Sequence, residues 1–93
     1  MHTYLYSKWI NAPADSPVEY YSELDPGRWE TRKVEIFHDG RLSYASASHS
    51  TYDTRLGVVP VPSLQEIAAQ PEFQVKSISA DEFEVIWKRA TRR

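Results

Sequence analysis

Ser48, His49 and Asp53 bring a hydroxyl, an imidazole and a carboxylate within six residues, the side-chain types that nucleophilic acyl transfer requires. A working serine also needs a strained elbow or a pair of oxyanion donors, and no serine in this chain is flanked by glycine. The trio therefore reads as a polar loop. Glu19 and Glu23 offer a second chemistry, paired-carboxylate acid–base work, but four positions along one strand face separates them by about 13 Å. His2, His38 and His49 are the three imidazoles, and no pair has the spacing of a metal motif. Gly27, Gly40 and Gly57 are dispersed, and the first two are accounted for by turns, so no phosphate cradle is written here. No catalytic residue, metal ligand or cofactor is assigned.

The more productive constellation mixes aromatic rings with carboxylates. Aromatic anchors inside an acidic rim suit a protein-binding surface, because the rings supply buried area and the charge steers a basic partner. Glu19, Tyr21, Glu23 and Trp29 are expected on the exposed face of a strand pair, joined by His49, Tyr52, Asp53 and Arg55 from a long loop. Trp9 and Trp87 read as core. Tyr20, Tyr21 and Trp29 beside Arg28, Arg32 and Lys33 would also permit sheet-based RNA stacking, but Glu19, Glu23, Glu30 and Glu35 among them repel phosphate.

The elements that must position these residues are legible in outline. Residues 3–10 read as a first strand, then two prolines and small polar residues at 11–17 make a surface loop. Residues 18–24 alternate as a second strand, with Val18, Tyr20, Ser22 and Leu24 opposite Glu19, Tyr21 and Glu23. Asp25-Pro26-Gly27-Arg28 has the residue order of a type II turn, which splays a hairpin and calls for a bulge or a longer closure. Trp29 to Phe37 is the third strand. Asp39-Gly40 reads as a two-residue type I′ hairpin, which sets Phe37 opposite Leu42, Ile36 opposite Ser43 and Glu35 opposite Tyr44. Lys33, Glu35, Phe37, Leu42 and Tyr44 then share one face, and Val34, Ile36 and Ala45 the other. The pattern leaves both faces open to the helices, and Val34 and Ile36, with no charge between them, favour burial of theirs.

Residues 45–57 form the longest stretch without periodicity, the kind of loop that is more often functional than inert. The prolines of Val58-Val59-Pro60-Val61-Pro62 hold it extended. Two Ser-x-x-Glu boxes follow, Ser63 with Glu66 and Ser79 with Glu82, each the signature of a helix N-terminus. The first helix must stop before Pro71, and a connector through Phe73 and Val75 leads to the second. Phe83, Ile86, Trp87 and Ala90 give that second helix one apolar stripe. The fold class is α+β, a four-stranded, mainly antiparallel meander sheet with two C-terminal helices packed on one face, in a single domain spanning residues 1–93.

Composition narrows the setting. Cysteine is absent, so disulfides and thiolate metal sites are excluded, in keeping with a reducing compartment. No secretion signal and no run of membrane-spanning length is present, and a cytoplasmic location without membrane contact is expected. The formal charge is −2, but Lys88, Arg89, Arg92 and Arg93 crowd the end, so residues 1–87 carry thirteen acidic against seven basic groups. An acidic body with a basic tail is a poor footprint for nucleic acid and suits a basic protein partner.

Tyr21-Ser22-Glu23-Leu24-Asp25, the run from Arg32 to Arg41, Arg55-Leu56-Gly57, Pro60-Val61-Pro62-Ser63 and the Ser79 to Trp87 segment together resemble a small uncharacterised bacterial domain family of about this length. The resemblance covers nearly the whole chain and brings no catalytic residues with it. Small acidic bacterial domains of this kind are similar to immunity proteins, which plug or cover a toxin. The expected function is a non-catalytic protein-binding domain, an immunity or antitoxin protein that neutralises a basic toxin domain, with another interaction module or an RNA-binding domain as alternatives.

Overall fold

Four successive strands and a fifth from near the C-terminus build one antiparallel sheet. The computed structural model describes residues 1–51 and 54–92. The elements are β1 (Thr3–Trp9), β2 (Pro17–Leu24), β3 (Glu30–Phe37), β4 (Leu42–Ser46), α1 (Leu64–Ala68), β5 (Phe73–Ile78) and α2 (Ala80–Thr91). Their spatial order in the sheet is β4-β3-β2-β1-β5. The α+β class and the antiparallel meander of the first four strands are as expected. The segment expected as a connector is instead β5, which pairs with β1 from Tyr4↔Ile78 to Trp9↔Phe73 and makes the sheet five-stranded. Trp9 stacks on Phe73 across that pair, with ring centroids 6.0 Å apart.

Both serine boxes form. Ser63 accepts from the Glu66 N–H while Glu66 accepts from the Ser63 N–H, and Ser79 and Glu82 repeat the arrangement. The stripe of α2 lands on the sheet: Phe83 and Ile86 are buried, and Ile86 joins Val34 and Tyr44 in a core packed by Tyr21, Ile36, Leu42, Trp87 and Ala90. Complete burial of a ring the size of Phe83 contributes about 2–3 kcal/mol. The Val34 and Ile36 face is thus covered by α2, in keeping with the favoured burial of Val34 and Ile36. α1 lies on the opposite side, where its Ile67 shares a cavity with Leu5, Ser22 and Val75. The two helices therefore sandwich the sheet rather than sharing one face of it.

The β3–β4 hairpin corrects the expected register. Phe37 N–H donates to Arg41 O and Gly40 N–H to Phe37 O, and in the turn only Gly40 has positive φ, at 85°. This is a three-residue closure ending in a left-handed glycine, not a type I′ turn, which needs positive φ at both central positions. The pairing is Ile36↔Leu42, Glu35↔Ser43 and Val34↔Tyr44, one residue from the expected register, so Leu42 and Tyr44 move to the face under α2. The β2–β3 hairpin closes in the same way. Asp25 N–H donates to Trp29 O and Arg28 N–H to Asp25 O, and the left-handed residue is Arg28, at φ 67°, rather than Gly27.

Candidate functional site

Alternation along the paired strands assigns every sheet side chain to a face. Tyr6, Tyr21, Val34 and Tyr44 form one cross-strand line under α2. Ser7, Tyr20, Glu35 and Ser43 form a line on the other face, with Leu5, Ser22, Lys33 and Ala45 beside it. Glu19, Tyr21 and Glu23, expected to be solvent-facing, therefore lie on the face that carries α2. Tyr21 packs against the core, and Glu19 accepts a 2.5 Å hydrogen bond from the Tyr6 hydroxyl. Burial and this carboxylate neighbour raise the Tyr6 pKa.

Glu23 is only 7 % exposed. It accepts from Thr31 Oγ1 at 2.8 Å, from Arg32 Nε at 2.9 Å and from Arg32 Nη2 at 2.6 Å. The hydrogen bonds of the Arg32 guanidinium hold the Glu23 carboxyl at about 2, well below its ordinary value. Arg32 also bonds Glu84 on α2 and lies 4.9 Å and 5.0 Å from the ring centroids of Phe83 and Trp87. These contacts are the polar pin between helix and sheet. Replacing Glu23 would break the fold's own ion pair rather than probe a surface.

The opposite face holds a second charged group, which the sequence pattern hides. Between Glu23↔Arg32 and Leu24↔Glu30 the register shifts, with Thr31 as the extra residue of β3. This bulge turns Glu30 onto the face of Lys33, three residues away, where strict alternation would have opposed them. Lys33 Nζ lies 3.1 Å from Glu30 and 4.0 Å from Glu35, and donates to the Arg55 carbonyl at 2.8 Å. The three side chains are 14 %, 8 % and 13 % exposed, in the order Lys33, Glu30, Glu35. Glu30 also accepts from Ser22 Oγ and from the Gly57 N–H, while Glu35 accepts from buried Thr54, which bonds Ser43. Two cavities, of about 290 and 410 Å³, open on this face with Tyr20 lining both. Lys33 borders the first and Glu35 the second. Burial, with Glu35 nearby, raises the Tyr20 pKa.

The segment 57–62, expected to be extended, bends at Val58 and Val59 and is strapped across this side. Val61 N–H donates to Arg28 O, and Arg28 returns two side-chain hydrogen bonds, Nε to Val61 O at 2.9 Å and Nη2 to Pro62 O at 2.7 Å. With Gly57 anchored on Glu30, the strap is held at both ends. Between the anchors Val58 is 84 % exposed and Val59 65 %, and Trp29, which lies in sequence between Arg28 and Glu30, is 45 % exposed. Sequence reasoning found Trp29 and missed the two valines. The strap that carries them is tied to the Trp29 hairpin by Arg28, a tether that no local pattern announces.

The remaining expected residues fall apart. His49 is exposed, with its Nδ1 3.1 Å from Ser48 Oγ, and Arg55 is exposed while its carbonyl receives Lys33. Tyr52 and Asp53 lie outside the described residues. His38 Nε2 lies 3.0 Å from the carbonyls of both Ala12 and Pro13; two acceptors place the proton on Nε2 and make this histidine a clasp for the β1–β2 loop. All three cations invoked for RNA are engaged: Arg32 in the pin, Lys33 between carboxylates, Arg28 on the strap. Among the described residues, no group of three or more His, Cys, Asp or Glu is arranged to hold a metal ion, and no helix is long and apolar enough to cross a membrane.

No curated protein and no solved structure matches this chain. A family profile does, over residues 3–92, which takes in every element of the sheet and both helices. The chain belongs to the family described as Domain of unknown function (DUF6881).

Proposed function

We propose that this chain is a non-catalytic protein-binding domain of the cytoplasm that acts in the manner of an immunity protein, by covering a toxin domain. The observation that supports the reading is the strap: Val58 and Val59 are bare aliphatic side chains, and the hairpin that anchors the strap carries the half-exposed Trp29. Apolar side chains exposed together and held in place mark contact sites, because a pre-ordered patch loses little entropy on docking. Asp25, in the turn before Trp29, and Glu66, in the helix the strap runs into, supply the carboxylates that a basic toxin domain would meet at the edge of the patch. The acidic excess itself supports the reading less than its sequence count implied, since Glu23, Glu30 and Glu35 are turned inward against Arg32 and Lys33. Nothing favours the RNA alternative once its three cations are engaged within the fold.

The test compares tagged wild-type protein with the Val58→Asp, Val59→Asp double variant in pull-downs from the native host. The retained protein is then purified, its affinity for both forms measured, and its toxicity scored on co-expression with each. Binding at least tenfold weaker for the variant, with loss of growth protection, is expected. Equal affinity for both forms, a partner that is not toxic, or no retained protein at all would overturn the proposal.

A further inference from the structure

The 290 Å³ cavity on the face away from α2 is unexplained by the strap reading. Its floor is Leu5, Tyr20 and Val75, its wall Val61 and Ile67, and its end the Glu30–Lys33 pair. An apolar cavity of about 150 Å³ holds benzene, so this one has room for an aromatic ring and a short chain. Pockets of this kind, mostly apolar with a few convergent polar groups, are the usual form of a small-molecule site.

Charge decides the polar end of the ligand. Glu30 and Glu35 both face Lys33, which lies 3.1 Å from the first and only 4.0 Å from the second, so the group carries one negative charge in excess. Arg28, the nearby cation of the adjoining hairpin, is held on strap carbonyls and does not line the cavity. Glu30 Oε1 accepts from Gly57 and Lys33, whereas Oε2 accepts from Ser22 Oγ at 3.1 Å, which leaves that oxygen capacity for a further donor. A carboxylate or phosphate would meet this oxygen in repulsion. An ammonium would bring both the missing charge and the donor.

We infer that the cavity is a binding site for a small hydrophobic amine, with the apolar body against Leu5, Val61, Ile67 and Val75 and the ammonium at Glu30. The inference is independent of the protein-binding reading, because it uses the inner side of the strap and not Val58, Val59 or Trp29.

The experiment is an amide-resolved NMR titration of the full chain with 3-phenylpropylamine and, in parallel, with 3-phenylpropionate at pH 7. Saturable shifts centred on Ser7, Ser22 and Val75 with the amine, and at least tenfold weaker binding of the carboxylate, are expected. Glu30→Gln should bring the two probes within about threefold of each other. Ser7→Phe, which fills the floor from β1, should abolish the shifts while keeping a dispersed spectrum, and serves where Glu30→Gln disturbs the strap. No saturable shifts with either probe, a carboxylate that binds as well as the amine, or shifts confined to α2 would overturn the assignment.

Discussion

The guanidinium of Arg32 donates to the carboxylate of Glu84 at 2.5 Å, across fifty-two residues of chain. With Glu23 bonded to the same nitrogen at 2.6 Å, a single side chain ties β2, β3 and α2 together. Removing it would strand the Glu23 carboxylate under the helix without its counter-charge. Arg32→Ala is expected to cost about 3 kcal/mol in urea unfolding, near the lower end for breaking a buried pair because Arg32 keeps some contact with water. A loss below about 1 kcal/mol would show that the pin contributes little.

Glu23 makes stability fall in acid. Its folded pKa of about 2 lies below its ordinary 4.5, so the unfolded chain binds the extra proton between those values. The contribution is fully present above about pH 5 and is lost as pH falls through 4.5 towards 2, about 3 kcal/mol in all. Glu23→Gln should be less stable at pH 7 and show a flatter decline below pH 4.5. Parallel wild-type and variant curves would contradict the assignment.

Arg28 sits in a backbone region that costs a side chain on the order of 1 kcal/mol relative to glycine, yet its guanidinium holds the strap. Two substitutions separate these effects. Arg28→Ala keeps the strain and loses the tether, whereas Arg28→Gly loses both, so the glycine variant should be the more stable by about 1 kcal/mol. Both should expose the Val61 amide to faster hydrogen exchange and the Val58–Val59 segment to proteolysis. Unchanged protection at Val61 in either variant would mean that the strap does not depend on Arg28.

The two N-caps look alike in sequence and should differ in effect. Ser79 begins the twelve-residue α2, which seals the core, so Ser79→Ala should lower global stability by about 1 kcal/mol. Ser63 begins the five-residue α1, which buries no residue, and Ser63→Ala should loosen that helix with less than half the global effect. Equal losses in thermal unfolding would contradict this ranking.

Local chemistry wrote the caps, the apolar stripe of α2 and the positions of both hairpins plainly into the sequence. What it concealed depends on single-residue offsets. Gly40 alone carries the positive φ at its turn, so the closure gains a residue and Tyr44 changes face. The Thr31 bulge likewise turns Glu30 towards Lys33, against the alternation that would separate them. β5 has an ordinary alternating pattern, but its partner lies near the other end of the chain and no turn between them signals the pairing. The expected acidic surface failed at Glu23 for a related reason: a carboxylate in an alternating strand reads as exposed unless the arginine that buries it can be seen, and that arginine is on the next strand.

The pairing of β1 with β5 also orders events during synthesis. As β1 leaves the ribosome it gains β2 on one side within a few residues, but its other edge stays bare until residues 73–78 emerge. A nascent chain that stops short of Ser79 carries a finished meander with Val34 and Tyr44 unsheltered, because α2 follows all five strands in the chain. Such long-range closure slows folding and leaves sticky intermediates in its wake. Synthesis must therefore pass α2 before the sheet is sealed, and clipping a few residues from α2 should do more harm than clipping the same number from the loop after β4.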